Sequence, residues 1–264
     1  MKRRLLPRWS AVFFAGIAGV AFAAPAEAGP NPEDTYAGSQ IAKHEGVHGT
    51  PIGYSAQDQY LGHDVSGHQG PVDWPAAAGA GAKFVYVKAT EGVTFVSKQF
   101  TQQYNGSYQA GIVRGAYHFA LPDVSDGASQ ANYFLAHGGG WSADGMTLPG
   151  ALDMEYNPYG DTCYGKNPGD LVAWMHAFSD TYRARTGRLP TIYTSTSWWK
   201  RCTGNDPTFG GNPLWIARYN SQLGELPASW RQHAIWQFAN AGALPGDQNW
   251  LNGTQAALRN LAFG

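Results

Sequence analysis

Two acidic side chains, Asp153 and Glu155, are separated by a single residue in the stretch GALDMEY, residues 150–156. Their apolar neighbours, Leu152 and Met154, are typical of a buried strand, in which successive side chains point to opposite faces. The two acids therefore share one face. Burial of neighbouring carboxyl groups disfavours ionising both and separates their pKa values, as general acid catalysis by one of them requires. Acids at a strand end can equally face solvent or pair with Arg or Lys, so the motif by itself leaves both interpretations open.

From Tyr60 onward, strand-like and helix-like segments alternate. The clearest predicted helix lies between Pro168 and Gly187, where apolar residues recur at helical spacing between a helix-starting Pro and a helix-ending Gly. Helices become sparse after LPTIYTST, residues 189–196. This pattern predicts a single α/β domain with a parallel sheet, most economically a TIM-like barrel with an irregular last third.

The ends of the predicted strands carry polar residues. In an α/β barrel the ligand-binding loops converge at the C-terminal ends of the strands, so residues far apart in sequence become neighbours there. We therefore expect one polar site at the barrel mouth. Its candidates in chain order are Asp64, Lys88, Glu91, His118, Asp153, Glu155, Tyr193, Arg218, Tyr219, Gln237 and Asp247.

The motif HDVSGHQG, residues 63–70, contains two histidines and Asp64, which raises the question of a metal site. His63 and Asp64 are adjacent and point to opposite faces of a strand, so they cannot readily hold one ion. We therefore predict no metal and no cofactor. Asp64 is interpreted as a further acid at the mouth, which positions substrate or shifts the pKa of its neighbours.

The first 28 residues have the pattern of a secretory signal. A basic head precedes an apolar run over residues 9–24, and the stretch Ala26 to Ala28 offers a small-residue cleavage site. An uncleaved membrane anchor is the alternative, although the run is short for a membrane span. Residues 29–58 are rich in Gly, Pro, Ser, Asp and Gln without periodicity, which predicts a flexible or weakly ordered leader. The folded domain is expected over residues 59–264.

Charge and aromatic content limit the class of partner. Once Lys2, Arg3, Arg4, Arg8 and Glu27 are removed, 14 basic and 18 acidic residues remain, a formal charge of −4. The sequence also lacks the basic stripe with interleaved aromatic residues that nucleic-acid binding requires. Ten Trp and 14 Tyr in a chain that is only 14% charged suit flat, weakly polar ligands such as sugars, although ordinary core packing must account for most of these rings.

Cys163 and Cys202 are the two cysteines of the chain. An even count in an exported protein favours one disulfide, which would close a loop of roughly 40 residues. A reactive thiol pair is the alternative, and neither cysteine has the spacing of a metal ligand.

Several stretches together resemble glycoside hydrolase family 25, the secreted lysozymes that cleave bacterial peptidoglycan. The similarity extends from Tyr60 almost to the C-terminus and implies a modified barrel of five βα units followed by three β-strands. In that family a disulfide is also found that Cys163 and Cys202 would match. The stretches that carry the resemblance are GHDVSGHQGPVDW, YVKATEG, GIVRGAYHFA, LPGALDMEYNP, IYTSTSWW, LWIARYN and IWQFA.

The resemblance implies that Glu155 is the general acid, which protonates the oxygen between N-acetylmuramic acid and N-acetylglucosamine. Asp153 would stabilise the developing charge, either by attacking the anomeric carbon or by orienting the 2-acetamido group so that its oxygen attacks. Asp64 and Asp247 complete the family's set of carboxyl groups. Further residues match groove positions that bind substrate, although each also suits strand-end packing: Tyr117, His118, Tyr193, Arg218 and Gln237.

Two other functions remain open at this stage. A chitinase-like glycosidase would use a similar D-x-E strand, and the sugar at the new reducing end distinguishes it from a muramidase. A non-catalytic wall-binding module would be expected to lose one or more acids, and all of them are present. We expect the partner to be peptidoglycan glycan strands, with no membrane contact after signal cleavage and with the protein acting as a monomer.

Overall fold

The computed structural model describes residues 30–50 and 60–264. The signal sequence expected over residues 1–28 and residues 51–58 of the expected leader lie outside these ranges. Within the described ranges, no helix combines the length and the hydropathy that crossing a membrane requires.

Eight of the nine strands in the described residues close into a barrel, which confirms the predicted fold class. Neighbours around the barrel follow the order β1, β9, β8, β7, β6, β5, β4 and β2, and pairing of β1 with β2 closes the ring. The short β3 pairs with β2 outside it. The strands are β1 (Tyr60–Val65), β2 (Phe84–Glu91), β3 (Phe95–Val96), β4 (Val113–Phe119), β5 (Ala151–Asp153), β6 (Thr191–Thr194), β7 (Leu214–Ala217), β8 (Ile235–Ala239) and β9 (Asp247–Leu251).

The helices follow the first five barrel strands and then become sparse. Five βα units are followed by β7, β8 and β9. Only β9 runs antiparallel to its barrel neighbours, β1 and β8, because the connection from β8 is too short for the crossover that a parallel strand needs. The helices are α1 (Ser39–Glu45), α2 (Trp74–Gly79), α3 (Phe100–Gln109), α4 (Gly127–Ala136), α5 (Pro168–Thr186), α6 (Thr196–Thr203) and α7 (Gln255–Phe263).

Helix α5 confirms the helix predicted between Pro168 and Gly187. The side chain of Asn167 accepts the backbone N–H of Asp170 at its start, and Gly187 ends it with a left-handed φ of 78°. A residue with a Cβ would be strained at that position, which explains the Gly. Leu171, Trp174, Phe178 and Tyr182 are buried on its inner face.

Aromatic side chains fill much of the core. Trp215 of β7 stacks on Tyr86 at 4.7 Å between ring centroids and meets Tyr193 edge-on at 4.6 Å inside the barrel. Trp198, Trp199 and Trp236 are also buried. The high aromatic content therefore mainly serves packing, as expected for rings of this size.

Residues 30–50 differ from the weakly ordered leader that their composition predicts. They contain α1 and pack against the C-terminal mouth of the barrel, with Ala37 and Ile41 buried in the main core. Composition did not reveal this order because the segment has no sustained apolar periodicity and several of its contacts are made by backbone groups.

The disulfide between Cys163 and Cys202 is present, with Cα atoms 5.3 Å apart. It connects the loop that follows β5 to α6, so it fixes the chain just beyond the two acids of the D-x-E stretch.

Candidate active site

The mouth of the barrel brings two acids from β1 and β9 face to face. Asp64, near the end of β1, is the antiparallel partner of Asp247, the first residue of β9. Burial raises the pKa of Asp64 well above its usual value, and the charge of Asp247 adds to the shift. Burial also raises the pKa of Asp247 to about 7, against a hydrogen bond from the Tyr219 hydroxyl at 3.1 Å.

Asp153 and Glu155 form the second pair. Strand β5 ends at Asp153, Glu155 follows two residues later, and both side chains are fully buried. Neither oxygen of Asp153 has a hydrogen-bond partner within the described residues. Burial and then the charge of Glu155 raise the pKa of Asp153 well above its usual value. The two carboxyl groups therefore influence each other's ionisation, as their spacing predicts.

Gln237 of β8 connects these acids to the tyrosines of the mouth. Its Nε2 donates to Oδ2 of Asp64 at 2.8 Å, and its Oε1 accepts the hydroxyls of Tyr193 at 2.7 Å and Tyr219 at 2.6 Å. Asn249 of β9 donates to the same oxygen of Asp64 at 2.7 Å. Two amides thus fix the orientation of one Asp64 oxygen.

A buried ion pair lies at the end of β2. Nζ of Lys88 is 2.6 Å from Oε2 of Glu91, and the Tyr159 hydroxyl donates to the other oxygen of Glu91. Burial lowers the pKa of Lys88, and the neighbouring charge of Glu91 raises it. Lys88 of this pair places one positive charge among the carboxyl groups of the mouth.

The start of helix α1 lies directly against Glu155. The backbone N–H groups of Gly38, Gln40 and Ile41 donate to its two carboxyl oxygens at 2.8, 3.0 and 2.9 Å. Burial raises the pKa of Glu155 to about 8, although these three N–H groups lower it. The same N–H groups have no partner within the helix, so Glu155 acts as the cap of α1.

Three of the predicted substrate-binding residues reach this cluster: Tyr117, Tyr193 and Gln237. The hydroxyl of Tyr117 accepts the backbone N–H of Ala37 at 3.3 Å, directly above the acids. Burial raises the pKa of Tyr117 well above its usual value, and the charge of Asp64 raises it further. Tyr117 therefore faces the barrel interior.

The structure places His118, which was predicted to bind substrate, away from the mouth. Its Nε2 lies 2.9 Å from Oε1 of Gln130 on α4, and its ring stacks on Phe178 of α5 at 5.4 Å. His118 follows Tyr117 directly, so the alternation of a strand turns its side chain away from the mouth.

Arg218 lies at the rim rather than in the cluster. It lines a cavity of about 360 Å³ beside α1, and its Nε has no hydrogen-bond partner within the described ranges. Its neighbour Tyr219 enters the hydrogen-bond network instead. The same alternation of side chains that turns His118 away from the mouth also turns Arg218 outward and directs Tyr219 into the cluster.

Asn249 is a member of the cluster that the sequence analysis missed. It stands two residues after Asp247 on the same face of β9, which repeats the spacing of Asp153 and Glu155. The acid-x-amide pattern in PGDQNW was the available signal.

His63 lies on the outer side of β1, as its position beside Asp64 predicts. Its Nδ1 is 2.7 Å from the carbonyl oxygen of Pro245, and its ring is 5.6 Å from Trp74 of α2. Burial lowers the pKa of His63 to about 4. In the part of the chain that the structure describes, no three His, Cys, Asp or Glu side chains are grouped to hold a metal ion.

The mouth therefore contains four buried carboxyl groups besides Glu91, which is paired with Lys88. Burial raises the pKa of all four, and the charges of neighbouring acids add to the shifts of Asp64, Asp153 and Glu155. Acid catalysis of glycosidic bond cleavage uses such pairs, because one carboxyl must stay protonated while another stabilises positive charge. The fold and the site define the class of a glycoside hydrolase.

Comparison with known proteins gives the family. The profile of Glycosyl hydrolases family 25 matches residues 63–247. An N,O-diacetylmuramidase from Chalaropsis sp is 48% identical over 198 residues, which are 73% of this chain and 94% of that protein. Lysozyme M1 from Streptomyces globisporus is 42% identical over 200 residues, 74% of this chain and 68% of that protein. The chain belongs to glycosyl hydrolase family 25.

Two solved structures support the same family assignment. The muramidase from Acremonium alcalophilum is 52% identical, with a TM-score of 0.76 over 77% of this chain and 99% of that one. The family 25 lysozyme from Aspergillus fumigatus is 48% identical, with a TM-score of 0.77 over 78% of this chain and 100% of that one. The protein is accordingly a glycoside hydrolase of the lysozyme type.

Proposed function

We propose that the protein is a secreted muramidase that hydrolyses the β-1,4 bond between N-acetylmuramic acid and N-acetylglucosamine in bacterial peptidoglycan. The observation that carries the proposal is the convergence of Asp64, Asp153, Glu155 and Asp247 at the mouth of a family 25 barrel. Two relatives named N,O-diacetylmuramidase, each 48% identical, support the choice of muramic acid as the sugar at the cleaved bond.

Glu155 is the general acid in this proposal. Burial raises its pKa to about 8, so a large fraction of the carboxyl is protonated at neutral pH and can donate to the glycosidic oxygen. A bound glycan excludes water from the same groove and so preserves the condition that raises the pKa.

Asp153 stabilises the positive charge that develops at the anomeric carbon. Its oxygens have no hydrogen-bond partner in the described residues, so no protein group competes with substrate for them once the mouth is open. It acts either by direct attack or by orienting the 2-acetamido group, whose oxygen then attacks. In both routes the anomeric configuration is retained.

Asp64 and Asp247 position the substrate and the groups around it. Asp64 is fixed by the amides of Gln237 and Asn249, and Asp247 accepts from Tyr219. These contacts give the groove a rigid polar wall, which is what orientation of a sugar ring requires.

Secretion and action as a monomer are parts of the same proposal. The disulfide between Cys163 and Cys202 is typical of proteins that fold in an oxidising compartment. The signal-like N-terminus supports export, and peptidoglycan is reached from outside the cytoplasm.

The experiment is product analysis of purified peptidoglycan digested with the full chain, Glu155→Gln and a matched control, Glu225→Gln. Glu225 is an exposed carboxylate that pairs with Lys200 at 2.6 Å and has no hydrogen bond to the four acids, so its variant should match the wild type. We expect new reducing ends of N-acetylmuramic acid and at least a 10³-fold slower reaction for Glu155→Gln.

The two alternatives give different results in the same digest. Reducing ends of N-acetylglucosamine alone would identify a chitinase-like specificity and overturn the muramidase assignment. Retained wall binding with no new reducing ends, also from a Gly38→Ala chain whose added Cβ clashes with the groups of the mouth, would identify a wall-binding module. Equal rates for wild type and Glu155→Gln would remove Glu155 from the role of general acid.

A further inference from the structure

Residues 30–50, here called the cover segment, cross the whole mouth of the barrel. Near its beginning, Nζ of Lys88 donates to the carbonyl oxygen of Pro32 at 2.7 Å and also to that of Thr35. Near its end, the backbone N–H of His48 donates to the carbonyl oxygen of Tyr219 at 2.8 Å. The segment therefore connects the ends of strands that lie on opposite sides of the mouth.

The centre of the cover segment makes buried hydrogen bonds with the proposed catalytic groups. Ala37 donates its N–H to the Tyr117 hydroxyl, and its carbonyl oxygen accepts from Nε2 of Gln237 at 3.0 Å. The next residue, Gly38, donates to Oε1 of Glu155, and two further N–H groups occupy Oε2. The backbone of the segment thus occupies polar positions that a sugar would need.

Gly38 is fitted to this position by the lack of a side chain. Its φ is +97°, and a Cβ there would lie 1.9 Å from the Tyr219 hydroxyl and 2.7 Å from Oε1 of Gln237. Oδ2 of Asp247 would be 2.9 Å away. Only glycine allows the backbone to approach this closely, so the contact depends on residue 38.

Helix α1 adds anchors on the far side of the mouth. The carboxylate of Glu45 accepts the Ser195 hydroxyl and, at 3.1 Å, the Tyr156 hydroxyl. The ring of His44 stacks on Tyr156 at 4.3 Å between centroids. The segment is therefore held at both ends as well as at Glu155.

The covered groove cannot admit a glycan. Asp153 and Glu155 have no exposed surface, and Asp64 and Asp247 expose only 2% and 3%. A general acid must approach the oxygen it protonates to within about 3 Å. The cavity of about 360 Å³ beside α1 is what remains open, while a larger one of about 510 Å³ lies at the opposite end of the barrel.

The cover segment lies outside the part of the chain that the family profile matches, residues 63–247. The two solved relatives align over 99% and 100% of their own lengths with only 77% and 78% of this chain. Residues 60–264 by themselves make up about that share. The barrel is therefore the shared part, and the segment is an addition to it.

We propose that the cover segment is an intramolecular inhibitor that competes with glycan strands for the groove, so that the full chain is latent until the segment undocks. The proposal rests on the proposed function for the identity of the groove's ligand. Because docking and glycan binding exclude each other, the apparent affinity for glycan is reduced by the fraction of molecules that are docked.

The test uses the full chain and compares Gly38→Ala with Gly49→Ala. Gly49 lies in the same segment with a φ of +133°, but no atom of the described residues is within 4 Å of a Cβ placed there, so it controls for backbone strain alone. A second variant, Ile41→Asp, places a charge at a side chain that is 1% exposed, beside Glu155. Both Gly38→Ala and Ile41→Asp should undock the segment and leave the barrel folded.

Two measurements do not depend on catalysis. Amide hydrogen exchange of residues 38–42 should be slow in the wild type and in Gly49→Ala, and at least 100-fold faster in Gly38→Ala and Ile41→Asp. Binding of N-acetylglucosamine tetramer, measured by calorimetry, should be at least tenfold tighter in these two variants. Exchange of residues 38–42 at the rate of an unstructured peptide in the wild type would overturn the proposal, and so would unchanged tetramer binding in both undocked variants.

Peptidoglycan digestion separates this proposal from the muramidase assignment. Faster release of muramic acid ends by Gly38→Ala than by wild type supports both. Faster exchange and tighter tetramer binding with no muramic acid ends support the inhibitor and overturn the muramidase. Equal release by all variants, together with slow exchange in the wild type, overturns the inhibitor and keeps the muramidase.

Discussion

Glu155 accepts the backbone N–H of Gly38 at 2.8 Å, so one carboxyl group is both the proposed general acid and the cap of helix α1. Gly38 has no side chain with which to cap the helix, and Glu155 supplies that acceptor from the barrel. The two uses of Glu155 exclude each other. A glycosidic oxygen can reach the carboxyl only after the three N–H groups of α1 have left it.

The buried ionisable groups predict that the free energy of unfolding falls as pH rises from about 6.5 to 8. Burial raises the pKa of Glu155 from 4.5 to about 8 and that of Asp247 from 3.8 to about 7. Above pH 6.5 the folded chain therefore keeps protons that the unfolded chain has released, and the free energy of unfolding falls as pH rises. Burial lowers the pKa of His63 and His118 from 6.5 to about 4. Between about pH 4.5 and 6.5 the protons that these histidines take up on unfolding offset those that the two acids release, so stability should change little there.

Urea unfolding at each pH unit from 4 to 9 checks this prediction. In Glu155→Gln the unfolding free energy should fall less steeply above pH 6.5. The difference in slope is up to about 1.4 kcal/mol per pH unit, which corresponds to one proton. The exposed control Glu225→Gln should leave the curve unchanged. A stability that rises between pH 6.5 and 8 would be inconsistent with buried, protonated carboxyl groups at the mouth.

Removal of Asn249 should weaken both the fold and the reaction. Its Nδ2 donates to Asp64 at 2.7 Å and its Oδ1 accepts Nε1 of Trp215 at 2.6 Å, all in a buried layer. Asn249→Ala leaves both partners short of a hydrogen bond, which costs about 2–4 kcal/mol of unfolding free energy. Asn252→Ala, in the exposed turn after β9, should change it by less than about 0.5 kcal/mol.

Kinetics distinguish positioning from mere destabilisation in Asn249→Ala. Because Asn249 orients Asp64, kcat on peptidoglycan should fall at least tenfold at a temperature where the variant is fully folded. A loss of stability with an unchanged kcat would show that the hydrogen bond from Asn249 is not required to orient Asp64 for the reaction.

The disulfide should contribute about 4 kcal/mol, since it closes a loop between residues 39 positions apart. The double variant Cys163→Ala/Cys202→Ala is expected to lower the unfolding temperature by about 8–15 °C. Calorimetry of the variant and of reduced wild type should give the same shift. A change below about 2 °C would mean that the loop after β5 is fixed by its other contacts.

Much of the fold was accessible from the sequence because its signals are local. The helix of residues 168–186, the alternation of strands and helices and the pairing of Cys163 with Cys202 follow from periodicity, end signals and cysteine count, whereas the number of five βα units came from the family resemblance. The short connection before β9 makes that strand antiparallel, and no local pattern in the strand shows this in advance.

Strand alternation accounts for which of the predicted site residues the structure brings to the mouth. Alternation predicted that the side chains of Asp64 and His63 point to opposite faces of β1. In the structure Asp64 contacts Gln237 at the mouth, and His63 contacts Pro245 on the outer side. The same rule places Tyr117 at the mouth and turns His118 away from it, and of the two candidates Arg218 and Tyr219 it favours Tyr219. Docking of residues 30–50 combines buried side chains such as Ile41 with backbone hydrogen bonds to Glu155, and the backbone contacts carry no side-chain signal in the sequence.

Stereochemistry tests the role of Asp153. Direct attack and attack by the 2-acetamido oxygen both pass through two displacements, so the first product should have the β configuration at its new reducing end. Proton NMR of early digests of a soluble glycan fragment can detect this before mutarotation. An α product would require a directly attacking water and would contradict either role of Asp153.

The most direct measurement of the central claim is the reducing-end analysis of peptidoglycan digested by Gly38→Ala and by Gly38→Ala/Glu155→Gln. The account predicts rapid release of N-acetylmuramic acid ends by the first variant, faster than by wild type, and at least a 10³-fold slower release by the second. Equal rates for the two variants, or new ends of N-acetylglucosamine alone, would contradict it.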